Sequence, residues 1–525
     1  MELRNWIGGE EAAPRSGVYF ERFNPADERE LIARIPASSG EDAALAVEAA
    51  EAAYPSWRAT PAPRRAEILF RAGQLLIERK DAYARDMTRE MGKVLIEARG
   101  DVQEAIDMLF FMAGEGRRLY GQTTPSELGA KMCMTVRTPV GPAALITPWN
   151  FPMAIPSWKL APCLVCGNTA VLKPAEDAPL SALNFVRTLT DAGLPPGVVN
   201  VVFGRGPEAG AALIADERVR IVSFTGSTRV GRAVGQQAAA GLKHCNLEMG
   251  GKNAIIVLAD ADLELALEGC LWGGFGTTGQ RCTAASRVIV DRGIYAPFVA
   301  RLIERARALR AGSGLDPEVQ LGPIVNARQL QRIEEYVAIG KQEGARLSLG
   351  GIRLCGGAWD RGLFFPPTIF TEATPDMRIA QEEIFGPVLT VLACDGLDDA
   401  ITVANHSAYG LSAAIYTAQG NAAWRGLQDL AAGIVYVNAP TIGAEVHLPF
   451  GGVRASGNGH RESGAATLDV YSEWKTLYVD YSGRLQRAQI DTSGPAGRGS
   501  RLGRAAGRGS RLGGAAGRGS RLGGG

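Results

Sequence analysis

The chain has 525 residues, enough for about two to four domains at roughly 100–200 residues each. Hydrophobic residues make up 46% and charged residues 21%, the balance of a protein with a large core. A formal net charge of +1 excludes a chain-wide attraction to nucleic acid or membrane; because residues 494–525 carry seven arginines and no acid, that +1 leaves −6 on the rest.

In chain order, residues 41–53 predict an alanine-rich helix with acids in its first turn. Residues 63–92 and 95–113 predict two more, their apolar side chains gathered mostly on one face. The first 120 residues are therefore expected to be helical. The alternation of Met132, Met134 and Val136 predicts an extended strand or hairpin. From 141 onward, short apolar runs at 143–147, 169–172, 198–203 and 220–224 alternate with helical stretches at 178–192 and 206–215. That rhythm predicts a parallel sheet covered on both faces. A second α/β series follows with strands at 254–258 and 288–290 and a helix at 295–310, and 465–483 returns to strand character. The tail repeats Ala-Gly-Arg-Gly-Ser-Arg-Leu-Gly with a period of ten, a composition expected to be disordered or adaptable.

Residues 1–10 lack the apolar stretch of a secretory signal, and no uncharged apolar run approaches the roughly 18 residues of a membrane span. Eight cysteines are ordinary usage rather than a disulfide framework, so a reducing cytoplasm is expected. Cys163 and Cys166 form a C-x-x-C, but with four scattered histidines no metal site is expected. These two, with Cys133, Cys245, Cys270, Cys355 and Cys394, read as buried, inert side chains.

Cys282 differs because it lies in the Gly- and Thr-rich segment GTTGQRCT, where glycines let backbone approach a ligand. A thiolate there would be a candidate nucleophile. The segment FTGSTRVG follows an apolar strand and opens a helix, so Gly226 and Ser227 would present N–H groups and a hydroxyl to a phosphate.

These segments belong to an ordered set: TPWNFP at 147–152, VLKPAEDAP at 171–179, SFTGSTRVG at 223–231, LEMGGKNA at 247–254, GQRCTAASR at 279–287, QEEIFGPV at 381–388 and HLPFGGVRASGNGHRESG at 447–464. The set resembles the aldehyde dehydrogenase superfamily of the hydrolytic, NAD(P)-dependent kind over about residues 1–490. The resemblance implies Cys282 as nucleophile. It implies an oxyanion site made by the Asn150 amide and the Cys282 N–H, with Glu248 as the base for hydrolysis. Relatives that pass the acyl group to coenzyme A or phosphate usually lack that glutamate.

For the cofactor the resemblance implies Trp149, Lys173, Glu176, Gly226, Ser227, Gly250, Glu383 and Phe385. Glu176 suits a free ribose 2′-hydroxyl and so favours NAD, with NADP possible. Phe151, Trp158 and Phe450 would line a substrate tunnel, and Arg281 could grip a substrate carboxylate. Each of these four could equally be structural. Thr441, Gly443 and Glu445 resemble the branch that oxidises aminoadipate semialdehyde, whereas His447-Leu448-Pro449 departs from it.

The implied fold is α/β: a Rossmann-like nicotinamide-binding domain from 1–119 and 139–246 and an α/β catalytic domain over 247–450. A small β oligomerisation element would form from 120–138 and 460–485, giving a homodimer or homotetramer. The rival readings are a non-catalytic binding protein on the same scaffold, or polyanion binding by the basic tail. Cys282, Glu248 and Asn150 are all present, which weighs against the first.

Overall fold

The run Ala143–Thr147 is apolar and wholly buried, as a strand covered on both faces must be. A computed structural model of the protein describes residues 1–491, and the arginine-rich repeat at 494–525 lies outside the described residues. Ala143–Thr147 pairs in parallel with Ala170–Pro174 on one side and Ile221–Thr225 on the other. Val199–Val201 extends the sheet beyond the former and His244–Glu248 beyond the latter. The chain thus builds outward in both directions from Ala143–Thr147. Where strand order reverses, the loops leaving neighbouring strands part and open a crevice at their carboxyl ends. Pro148 to Asn150 leave Ala143–Thr147 at that point, and Gly226 and Ser227 leave Ile221–Thr225 beside them.

A second seven-stranded sheet runs Arg346–Leu349, Thr368–Thr371, Val388–Cys394, Ala285–Asp291, Asn253–Val257, Ser412–Tyr416, Ile434–Val437. All its pairings are parallel except that of Arg346–Leu349. Cys282 lies just before Ala285–Asp291, and Glu383 and Phe385 just before Val388–Cys394. This sheet therefore contributes the starts of its strands, where the first contributes the ends.

The expected helices form as Gly40–Ala59, Ala62–Met91 and Leu95–Glu115. The first is opened by a capping box in which Ser39 and Asp42 satisfy each other's backbone N–H groups. The expectation of helix throughout the first 120 residues fails before Gly40. There Asn5–Ile7 and Glu10–Ala12 form the antiparallel edge of the first sheet, and Tyr19–Asn24 pairs with Asp27–Pro36 as a hairpin. The hairpin is anchored by distant partners. Arg22 donates to the Glu90 and Val325 carbonyls and pairs with Asp177 at 3.3 Å. Continuous strand over 465–483 is also corrected: Ala465–Asp469 is a short 3-10 helix, and the strand is Ser472–Asp480.

The described chain forms two compact units. Both large sheets lie in the first, which comprises Met1–Tyr120 and Arg137–Lys475. The second comprises Gly121–Val136 and the described residues from Thr476 to Asp491. Among the described residues no helix is long and apolar enough to cross a membrane.

Candidate active site

The crevice at the reversal of the first sheet is a cavity of about 370 Å³. Trp149, Asn150, Gly226, Ser227, Gly250, Cys282, Glu383 and Phe385 all line it. Residues from five separate segments thus meet in one wall.

Cys282 is half-buried and follows a strained turn, Gly276–Gly279, in which Thr277 and Thr278 take left-handed backbone angles (φ 51° and 56°). Such angles cost a β-branched residue on the order of 1 kcal/mol or more, so something must hold them. Glu97 does so at Thr277, accepting from its N–H at 2.9 Å and its hydroxyl at 2.7 Å. The Thr278 hydroxyl donates to the Gly322 carbonyl at 2.9 Å. On the other side of the thiol, the Asn253 amide donates to the Cys282 carbonyl at 2.8 Å, and the Thr441 hydroxyl to the Thr283 carbonyl at 2.8 Å. Thr441 is therefore spent on the backbone beside Cys282, while Glu445 is exposed near His447. Burial, then the charges of Glu383 and Glu248, pushes the Cys282 thiol up to about 12; the N–H groups of Thr283 and Cys282 pull it back.

Glu248 ends the strand His244–Glu248 and is only 2% exposed. Neither carboxylate oxygen has a hydrogen-bond partner among the described residues. Burial, reinforced by Glu462, raises its pKa well above the carboxylate range, against the pull of Lys159 and Arg461. Gly451 (φ +149°) lets the chain pass this carboxyl, since a Cβ there would stand 2.6 Å from Glu248 Oε1. Behind Glu248 lies a buried polar group. Lys159, with no side-chain exposure, is ion-paired with Glu462 and donates to the Ser223 hydroxyl at 2.9 Å, and the Asn246 amide donates to Glu462 at 3.0 Å.

Glu383 and Phe385 line the same cavity. The Gly251 N–H donates to Glu383 at 3.0 Å, and any Cβ on Gly250 would overlap the Glu383 carboxylate. Phe385 has φ 63° and is pinned by Gln329, whose amide donates to the Phe385 carbonyl at 2.8 Å. Its ring meets Trp149 edge-on at 5.4 Å. Ser227 caps the helix Thr228–Ala240 with extended backbone and no side-chain cap bond, so that helix's first N–H groups border the cavity.

Other expected residues lie elsewhere. Lys173 lies in the neighbouring strand Ala170–Pro174 and Glu176 just after it, the two 3.8 Å apart and both outside this cavity wall. Trp158 and Phe450 pack edge-on at 5.0 Å within the core. Phe151 is flanked by Lys93 Nζ at 3.7 Å and the Arg281 guanidinium at 5.3 Å. Arg281 also lies over Trp272, donates to the Thr277 hydroxyl at 2.8 Å and stands 3.6 Å from Glu97.

Several residues were not anticipated from sequence: Lys159, Glu462, Asn253, Gln329 and Glu97. Their partners lie tens to hundreds of residues away, and no local pattern marks them. Among the other cysteines, Cys163, Cys166, Cys270 and Cys394 are buried, whereas Cys133 and Cys245 are half-buried and Cys355 is exposed, contrary to expectation. Among the described residues no group of three or more His, Cys, Asp or Glu could hold a metal ion.

The model of the aldehyde dehydrogenase family matches residues 12–477. The chain belongs to the aldehyde dehydrogenase family. Over 479 residues it is 46% identical to α-ketoglutarate semialdehyde dehydrogenase of Haloferax volcanii, covering 91% of this chain and 99% of that one. It is 41% identical to α-ketoglutaric semialdehyde dehydrogenase of Bacillus subtilis, covering 90% and 97%. The crystal structure of betaine aldehyde dehydrogenase from Staphylococcus aureus in complex with NAD+ superposes with a TM-score of 0.90 at 33% identity, covering 92% of this chain and 95% of that one. Family membership fixes the reaction class as oxidation of an aldehyde to its acid.

Proposed function

We propose that this aldehyde dehydrogenase oxidises a carboxylate-bearing aldehyde of the α-ketoglutarate semialdehyde type, with NAD as hydride acceptor. The observation that carries the chemistry is the meeting of Cys282 and Asn150 in one cavity wall, with the unpaired carboxyl of Glu248 close enough to act on the thiol. The substrate class rests on the names of the Haloferax volcanii and Bacillus subtilis relatives and on the Arg281 guanidinium that flanks Phe151.

Cys282 Sγ, as thiolate, adds to the aldehyde carbon. The oxygen takes up negative charge, and the Asn150 amide and the Cys282 N–H donate to it. Nicotinamide dinucleotide, when bound, supplies the hydride acceptor for this step. The carbonyl reforms as a thioester on Cys282. Glu248, as carboxylate, removes a proton from the water that attacks the thioester, and the acid leaves as Sγ is released. Glu462 keeps Glu248 proton-seeking through its negative charge, while Lys159 neutralises Glu462 and limits that effect.

The cavity fits a dinucleotide. Its volume, the open helix start at Ser227, the edge-on wall of Trp149 and Phe385, and the Gly250 gap beside Glu383 would hold a phosphate, a ring and a ribose. Trp149, Gly226, Ser227, Gly250, Glu383 and Phe385 are assigned to it. Lys173 and Glu176 would reach the adenosine ribose, which favours NAD while leaving NADP as a second acceptor. The first sheet's segments, 1–119 and 139–246, are taken as the cofactor domain and 247–450 as the catalytic domain. Residues 120–138 and 460–485 are taken as the element that builds a homodimer or homotetramer, in keeping with exposed Trp474, Tyr478 and Val479 on the strand Ser472–Asp480. All eight cysteines are free, in keeping with a reducing cytoplasm.

The test is steady-state NADH formation on short aliphatic, long aliphatic, aromatic and carboxylate-bearing aldehydes, with wild type and Cys282→Ser. Semialdehydes should lead by about tenfold or more in kcat/KM, about 1.4 kcal/mol of transition-state preference, and Cys282→Ser should be inactive. Turnover that survives Cys282→Ser would overturn the mechanism. Equal use of uncharged aldehydes would overturn the substrate class.

A further inference from the structure

The side chain of Glu176 is partly exposed, and its ion partner Lys173 stands 3.8 Å away, too far for a hydrogen bond. Lys173 donates instead to the Pro174 carbonyl at 3.0 Å. The place of Glu176 is therefore set through the backbone of the loop that carries it. That loop is fastened at the next residue, Asp177, which is buried. Asp177 Oδ1 pairs with Arg22 at 3.3 Å, and Oδ2 accepts from Asn326 Nδ2 at 3.0 Å.

Asn326 is held on two sides. While Nδ2 reaches Asp177, its Oδ1 accepts from the Gln329 N–H at 2.8 Å and so caps the helix Ala327–Gln342. Gln329, in the first turn of that helix, donates to the carbonyls of Ile384 and Phe385. One side chain thus joins the loop of Glu176 to the segment of Phe385. Its neighbour Val325 fixes where it stands. The Val325 N–H donates to Gln280 Oε1 at 3.0 Å, two residues before Cys282, and the Val325 carbonyl accepts from Arg22 at 2.9 Å.

We propose that Asn326 is a positioning residue for the cofactor: by holding Asp177 and Gln329 at once, it sets the Glu176 loop and the Phe385 segment at the separation that one dinucleotide spans. This rests on the assignment above of Glu176 to the adenosine ribose and of Phe385 to the cofactor.

The bond to Asp177 is an amide donating to a carboxylate, a charge-assisted contact stronger than a neutral one. Capping and positioning can be separated by chemistry. Serine caps a helix about as well as asparagine. A single hydroxyl, however, cannot replace an acceptor and an amide donor that serve two partners. Asn326→Ser therefore keeps the helix start and releases the loop, leaving Asp177 with Arg22 alone.

The experiment measures initial rates over NAD and aldehyde concentration for wild type, Asn326→Ser, Glu176→Gln and the double variant, with denaturant unfolding of each. Asn326→Ser should unfold near the wild-type midpoint. It should raise the NAD KM about tenfold, the order of one hydrogen bond to a charged group. The aldehyde KM and kcat at saturating NAD should hold. Glu176→Gln should also raise the NAD KM, and the double variant should be little worse than Glu176→Gln alone, because Asn326 acts through the loop that carries Glu176. An Asn326→Ser variant that leaves the NAD KM unchanged, raises both KM values alike, or multiplies in full with Glu176→Gln overturns the positioning role while leaving the cofactor assignment intact. A Glu176→Gln variant with an unaltered NAD KM removes both.

Discussion

Replacing Glu248 with glutamine should stabilise the protein while disabling it. The carboxyl is 2% exposed and has no partner for either oxygen among the described residues, so folding favours its neutral form over the carboxylate. Its pKa is raised by burial first and by Glu462 second, from a reference value of 4.5. The sign follows from linkage. An acid whose pKa is higher folded than unfolded binds protons more tightly in the native state. Its contribution is fully favourable below the unfolded value and is lost as pH rises toward the folded one. Holding such a carboxyl neutral at pH 7 costs at most about 3.4 kcal/mol, since each pH unit above 4.5 is worth about 1.4 kcal/mol.

Glutamine carries no such penalty. The stability difference between Glu248→Gln and wild type, read from denaturant unfolding midpoints at pH 5, 6, 7 and 8, should be near zero at the acid end. It should grow in favour of the variant by up to about 1.4 kcal/mol per pH unit and level off once the folded pKa is passed. The same variant should still release a first burst of NADH and then stall, provided deacylation limits the rate. A variant less stable than wild type at pH 7, or a difference that ignores pH, would refute the reasoning that the surroundings of Glu248 favour its neutral form.

With its thiol pushed up to about 12, Cys282 in the unliganded enzyme should be alkylated by iodoacetamide at a rate that rises steadily from pH 7 to 10; a plateau near pH 8 would refute that environment. Gly250→Ala should displace Glu383 and raise the NAD KM at least about tenfold, with kcat/KM for the aldehyde measured at saturating NAD as the control. Lys159→Met would leave Glu462 as a buried charge without its cation, and unfolding free energy should fall by about 3–5 kcal/mol. An unchanged denaturant midpoint would show the pair to be dispensable.

The alternation of apolar runs with helices was legible as a parallel α/β fold, because a strand buried on both faces can tolerate little else in its interior. Ala143–Thr147 and the helices Ala62–Met91 and Leu95–Glu115 emerge within a residue or two of the periodicity that predicts them. The chemistry-bearing segments were legible too, since a Gly-rich approach to Cys282 and a strand-to-helix turn at Gly226 leave local marks.

What the chain could not reveal locally was which charges meet. Lys159 and Glu462 are 303 residues apart, and Glu97 reaches Thr277 across 180. Only folding determines that Thr277 is held left-handed by a distant carboxylate, or that Arg281 spends one N–H on its own turn. The N-terminal hairpin was missed for the same reason, because it is anchored by Glu90, Asp177 and Val325 rather than by its own pattern. Periodicity and turn chemistry act between near neighbours and are written along the chain. The desolvation and charge pairing that set the environments of Glu248 and Cys282 act through space, and they exist only once the sheets and helices have closed around them.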